Sequence, residues 1–301
     1  MLGEALLFSG QFKDALRALM DWLAQMEKAV DDKSPVHGDL DTVIGLVEQH
    51  KNFEEELNSR TEQVEQLKQT AEELLKTAEQ DDAVKIKTQV TELTNRWENV
   101  WDLSKNKTKR LEDALRQAEE LHKNVNMLLE WLSDAEMKLR FAGPLPEDED
   151  EVMRQIAEHM KFMMELKEKE KDKDFTIDLA QEILKKCHPD AVQVIKHWIT
   201  MIQSRWDEVA SWALQRQERL EDHLKQLQDL LALLDELMQW LIGKEQNLVQ
   251  LEQEPLPDDL EIIRELIVEH QGFMDGLTER QPEIDNVCKP MRPKSTAPSS
   301  R

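Results

Sequence analysis

The chain has 301 residues, a formal net charge of -24, 34% charged residues, only 5% aromatics and no tyrosine. That acid surplus argues against a nucleic-acid partner and against charge-driven attachment to an anionic membrane, and no stretch nears the roughly 18 uncharged apolar residues of a membrane span. Glycine and proline, at 8 and 10, leave little room for turns, which is the composition of a helical protein.

The opening segment, MLGEALLFSG, holds an acid and no base and does not read as a signal peptide. Leu2, Leu6, Ser9, Lys13, Leu16, Met20, Leu23, Glu27 and Val30 follow one another at alternating steps of four and three, which predicts a first helix, A, with a heptad seam. SPVHGD (34–39) ends it. A second helix, B, runs from about 40 to 80, more charged, with Val43, Leu46, His50, Phe53 and Leu57 as its best stripe. QDD (80–82) is read as the next break. A third helix, C, carries Ile86, Val90, Leu93, Trp97 and Val100. From Asp81 to Ala142 there is neither proline nor glycine, so helix C is expected to continue into the next helix A over roughly 90 Å.

The pattern then recurs. Leu111, Leu115, Ala118, His122, Val125, Leu129, Leu132, Glu136 and Leu139 form the second A seam, widened by Leu128 and Trp131. GPLPEDED (143–150) precedes a second helix B, from about 149 to 186. CHPD (187–190) precedes a second helix C with Ile195, Ile199, Ile202, Trp206 and Val209, and Pro189 with Asp190 reads as its start. The third A seam runs Leu220, Leu224, Leu227, Leu231, Leu234, Met238, Leu241, Glu245 and Leu248, followed by EPLPDD (254–259).

Trp22, Trp131 and Trp240 are evenly spaced, and the same interval separates Trp97 from Trp206 and His50 from His159. A fixed long period of this kind means stacked copies of one unit. His270 lies two positions later than that interval from His159 predicts, and the insertion is expected in the A–B turn, where added length is cheap. The copies are expected at 1–109, 110–218 and 219–288, the third holding helix A and part of helix B, with 289–301 a disordered basic tail. The fold class expected is all-α: tandem three-helix left-handed coiled-coil bundles joined by continuous C–A helices into a semi-rigid, elongated and monomeric rod. The bare helices of the third copy offer a route to self-association.

Residues of possible chemistry read as structure. The tryptophans sit at heptad-compatible positions and are expected in or near the core. The three histidines cannot converge on one metal, because one falls in each copy; a hydrogen bond at a helix interface is expected of them. Cys187 and His188 adjoin in a turn without a third partner at metal-site or nucleophile spacing. PEDEDE (146–151) and the alternating charges near 168–173 lack the glycine and spacing of a calcium loop. No catalytic, cofactor-binding or metal site is assigned, and no cofactor is expected. Two cysteines in unrelated contexts fit a reduced, cytoplasmic setting. A structural spacer and scaffold is the reading the pattern supports best. The alternative is an interaction module, in which a repeat face or a turn residue such as Leu145 or Leu256 docks an adaptor or a second chain.

The tryptophans of helix A (Trp22, Trp131, Trp240) and helix C (Trp97, Trp206), with the shared C–A helix, resemble the spectrin repeat. MLGEALLFSGQFKDALRALMDWL (1–23), PVHGDLD (35–41), LRQAEELHKNVNMLLEWLSDAE (115–136), CHPDAVQVIKHWITMIQSRWDEV (187–209) and RQPEIDNVCK (280–289) are similar to the end of the rod in the spectraplakins. That resemblance implies a cytoskeletal linker joining actin, microtubules and, in some forms, intermediate filaments. Its partners are cytoskeletal or adaptor proteins, engaged mainly through modules outside this chain. It also implies that residues 1–301 are a piece of a longer protein.

Overall fold

The computed structural model describes residues 2–30, 33–253 and 255–288, with the side chains of the first helix described from Gly10 on. Among the described residues six α-helices appear: α1 (Leu2–Val30), α2 (Leu40–Leu75), α3 (Gln80–Arg140), α4 (Glu149–Leu184), α5 (Val192–Gln253) and α6 (Leu260–Cys288), with a single 3-10 turn, Pro189–Ala191, before α5. The expected basic tail at 289–301 lies outside the described residues. The chain falls into two compact units, Met1–Phe141 with Glu165–Ser211, and Ala142–Met164 with Trp212–Arg301.

Local chemistry sets the helix ends. The Asp39 carboxylate caps α2, accepting from the Thr42 N–H at 3.3 Å and the Thr42 hydroxyl at 2.6 Å. Asp148 and Asp259 do the same for α4 and α6, accepting from the N–H groups of Glu151 (3.0 Å) and Glu261 (2.9 Å). Lys138 and Arg140 occupy the last turn of α3, where the carbonyl end of the helix favours cations. Gly143, at φ 74°, then turns the chain away. Pro189 starts the helical stretch that leads into α5, as its sequence position implies.

QDD proves to be the opening of α3 and not a break: Asp81 and Asp82 lie in its first turn, and the interruption is residues 76–79. Acids are read ambiguously from sequence because they suit both turns and first turns of helices. From there α3 runs unbroken for 61 residues, about 90 Å at 1.5 Å each. Its first part packs Leu93, Trp97 and Val100 into one core with Phe12, Leu16, Leu19 and Leu23 of α1 and Leu57, Val64, Leu67 and Ala71 of α2.

The seam itself differs from its sequence reading at every second step. From Leu111 onward the buried residues of α3 are Leu111, Ala114, Ala118, Leu121, Val125, Leu128, Leu132 and Ala135. Leu115 and Leu129 are only half-buried, and His122 is exposed. The order of the three- and four-residue steps is reversed. α1 shows the same shift, with Phe12 and Leu19 buried beside Leu16 and Leu23, and Lys13 exposed. Leucines flank the seam on both sides, and alanine makes as good a core residue where helices approach closely; a pattern of large apolar residues alone does not choose between the two registers.

The two additional residues of the third copy also lie elsewhere than expected. α3 ends at Arg140, whereas α5 continues to Gln253, four residues beyond the equivalent point. The insertion lengthens the helix and the turn becomes shorter.

Candidate functional site

Two recurring assemblies hold the charged and aromatic residues that sequence reading singled out. In the first, Trp22 packs on Trp97 with ring centroids 6.4 Å apart, and Trp131 on Trp206 at 5.8 Å. Trp97 and Trp206 are buried, while Trp22 and Trp131 are half-buried, each donating its indole N–H to a helix-B carboxylate: Glu56 at 3.0 Å and Glu165 at 2.6 Å. Beside each pair an arginine of helix C meets a glutamate of helix A. Arg96 grips Glu27 through two N–H···O bonds, 3.0 and 2.7 Å, and Arg205 donates to Glu136 at 2.7 Å. Both pairs recur at the interval of the tryptophans, and nothing in apolar periodicity reveals them. An Arg-Trp dipeptide recurring in helix C is the signal that would have.

The second assembly is the histidine. His50 and His159, both buried, bond through Nε2 to backbone carbonyls of the third helix: Ser104 at 3.2 Å and Ala213 at 2.8 Å. Each stacks on the phenylalanine three positions on, Phe53 or Phe162. These bear out the interface hydrogen bond expected for them. His270 stacks on Phe273 in the same way, but its ring is exposed. His50 also belongs to a polar network: Thr108 donates to Glu54 at 2.7 Å and Ser104 donates to the same carboxylate at 3.2 Å. In the second copy Met163, Ala213 and Gln217 occupy the equivalent places. Burial holds the His50 imidazole below its ordinary pKa against the opposing pull of Glu54, and burial holds His159 down with help from Arg216.

A third arrangement joins segments far apart in the chain. The His188 N–H donates to the His37 carbonyl at 2.6 Å, and His37 and Cys187 form a parallel bridge. The loop before α2 therefore lies against the turn before α5. Val36 inserts into a small core of Val43, Leu111, Ala114 and Ala118, and Gly38 approaches Ala191 so closely that a Cβ on it would stand 2.8 Å from the alanine methyl. Arg110 donates to the Ser34 carbonyl at 3.1 Å from the midst of α3. Cys187, read as one half of an unassigned pair, is buried in this contact, and burial raises its thiol pKa, the opposite of activation. Within the other unit, the turn after α3 is held similarly: His223 meets the Pro146 carbonyl at 2.7 Å and Arg216 the Ala142 carbonyl at 3.1 Å.

The charge runs are solvated helix faces. Lys169–Asp172, Lys171–Glu168 and Lys173–Asp174 pair locally. Among the described residues no group of three His, Cys, Asp or Glu side chains could hold a metal ion. No described helix is long and apolar enough to cross a membrane. Of the two turn leucines, Leu145 is half-buried and Leu256 is 81% exposed.

The first two copies show a Trp–Trp contact between helices A and C, and the chain matches one family model, that of the spectrin repeat, three times: over residues 9–113, 116–222 and 225–292. The chain belongs to the spectrin-repeat family. Its third repeat is matched over a shorter stretch than the others. The repeats are 46% identical over 298 residues to mouse microtubule-actin cross-linking factor 1 (isoforms 6/7), covering 99% of this chain and 9% of that protein. The same identity and cover of this chain hold for the rat microtubule-actin cross-linking factor 1, of which 6% is covered. Rat utrophin is 26% identical over 162 residues, 53% of this chain and 5% of utrophin. The chain thus spans less than a tenth of the length of these relatives. The microtubule-actin cross-linking factor is a spectraplakin, sister of dystonin (bullous pemphigoid antigen), in agreement with the resemblance of the sequence stretches. What the chain matches is a helical repeat, and no enzyme family is among these similarities.

Proposed function

We propose that this chain is a spacer and scaffold segment of a cytoskeletal linker, with repeats at 1–109, 110–218 and 219–288. The observation that carries this reading is α3, one helix that serves two successive repeats. Its first half closes the first core, and its second half opens the next with Leu121, Val125, Leu128 and Leu132. A shared helix joins neighbouring repeats without a flexible linker, and the contact of His37 and Gly38 with His188 and Ala191 braces the same junction. Such a segment resists bending and keeps whatever flanks it at a fixed separation. The mouse and rat relatives are named as cross-linkers of microtubules and actin; a cytoplasmic, cytoskeletal setting and filament-linked partners follow for this chain by that kinship. Filament attachment itself is assigned to other parts of the longer protein, and this segment needs no cofactor or catalytic residue to act.

The test is solution scattering with sedimentation on residues 1–301 and 1–218. A monomer with a maximum dimension above about 100 Å supports the spacer, since α3 alone accounts for about 90 Å. A compact particle, or one whose dimension does not grow with the third repeat, refutes it.

A further inference from the structure

Several segments of the first compact unit surround a cavity of about 310 Å³. Val30, Val36, Leu46, Phe53 and Leu111 give it apolar walls, and Gln49, His50, Lys107 and His188 give it polar ones. In a chain with 63 acidic residues against 39 basic ones, none of the lining residues is an acid. Glu54, beside His50, is already taken by the Ser104 and Thr108 hydroxyls. The His188 Nδ1 accepts the Asp190 N–H at 3.4 Å, which leaves the proton of the neutral ring on Nε2, a donor. Lys107 is half-buried, and among the described residues its ammonium has neither an ion pair nor a hydrogen bond. The second copy shows how such a cation is answered from within the chain. Arg216 stands at the place of Lys107 and donates to the Ala142 carbonyl at 3.1 Å and to the Gln155 side chain at 3.3 Å. In the first copy Leu46 stands at the place of Gln155 and offers no side-chain acceptor.

We propose that this cavity is a binding site for a small amphiphilic monocarboxylate, an apolar body ending in one anionic head. The carboxylate takes the Lys107 ammonium, with His188 and Gln49 as further donors, and so supplies the acceptor that Gln155 supplies to Arg216. A hydrogen bond between two charged groups is stronger than one between neutral groups. The body of the ligand lies against Leu46, Phe53 and Leu111 and removes their apolar surface, and its own, from water. A bare anion such as phosphate gains nothing from those walls, and an amine of the same body is repelled by Lys107. The volume is at the small end of ligand pockets, which excludes a long acyl chain. The site also has a mechanical consequence. Its residues come from α1 and the loop after it, from α2, from α3 and from the turn before α5, which are the segments that meet at the junction of the first two repeats. A bound carboxylate ties these segments together and stabilises the state in which they touch.

The test uses the full chain with octanoate as the probe. Isothermal titration is expected to show one site with a Kd of about 0.1–1 mM, in keeping with the few non-hydrogen atoms of the probe. Hydrogen exchange at saturation is expected to slow in residues 29–36 and 46–53. Acetate and inorganic phosphate, which lack the body, and octylamine, which carries the opposite charge, are expected to bind at least about tenfold more weakly. Lys107→Met keeps an apolar stem and loses the charge, and is expected to weaken octanoate about tenfold. Lys107→Glu is expected to reverse the preference, so that octylamine binds more tightly than octanoate. Neither change breaks an ion pair or fills the core, so both variants are expected to match the parent in circular dichroism. Four results overturn the proposal. The first is no saturable octanoate binding up to about 10 mM. The second is octylamine binding as tightly as octanoate, or an affinity that Lys107→Met leaves unchanged. The third is acetate or phosphate binding as tightly as octanoate, which makes this a site for bare anions. The last is protection confined to residues that do not line the cavity.

Discussion

Gly38→Ala tests the junction between the first two repeats most directly. The backbone of Gly38 is in a conformation open to any residue, since its φ lies outside the left-handed region. In open space the substitution would stabilise by about 0.4–1 kcal/mol through the unfolded chain. Here the new methyl would stand 2.8 Å from the Ala191 Cβ, and two Thr42 carbons at 3.4 Å close the other side. Ala191 is completely buried and held by the 3-10 turn, so it cannot swing aside. Overpacking of this kind costs about 1–3 kcal/mol. The net expectation is a loss of about 1–2 kcal/mol in urea unfolding followed by circular dichroism, with faster amide exchange in residues 36–43. Ala191→Gly supplies the cross-check. It costs about 1 kcal/mol alone, yet in the double variant it removes the clash, so the two changes together should cost less than their sum by at least about 1 kcal/mol. Gly45→Ala is the control, with no atom within 4 Å of its added carbon, and should stabilise α2 by about 0.8–1 kcal/mol. A Gly38→Ala variant as stable as the parent, or additive costs in the double variant, would refute the close contact.

Trp206→Ala should cost about 3–5 kcal/mol as a buried large-to-small change, and Trp131→Ala less, because Trp131 is only half-buried; paired melts check the order. Arg205→Ala, breaking a half-exposed pair, should cost about 0.5–1 kcal/mol at low salt and less in about 1 M NaCl. The pH dependence follows from His50 and His159, whose folded pKa values are depressed by burial. The unfolded chain then binds more protons between the folded value and the ordinary one near 6.5. Stability is fully present above about 6.5 and falls as the pH drops through the folded values. His159→Gln should flatten this slope in melts between about pH 5 and 7, and a slope unchanged by that substitution would show that His159 titrates alike in both states.

Most of the architecture was legible from two facts, the even spacing of the tryptophans and the absence of helix breakers between Asp81 and Ala142. The register of the seam was not. Leu115, Leu129, Ala114 and Leu128 offer two interleaved apolar rows, and only the depth of approach between helices selects the row containing alanines. The polar assemblies were half-legible. The repeated histidines announced an interface, but their partners are main-chain carbonyls, which every residue possesses and no sequence marks. The junction was illegible altogether: HG at 37–38 and CH at 187–188 read as two separate turns, and their meeting depends on how the helices between them pack.

The linking helix also behaves as a phase-keeper. Each residue of an α-helix turns the chain by about 100° and advances it by about 1.5 Å. A single-residue deletion between Val100 and Leu111 would therefore swing the second repeat's apolar face about a quarter-turn from its partners, while barely changing the length of the segment. The two residues gained by the third repeat lie at the far end of its first helix, beyond Trp240 and past the stretch that α5 shares with the second repeat. Genetic change in such a chain is tolerated by angle before it is tolerated by length.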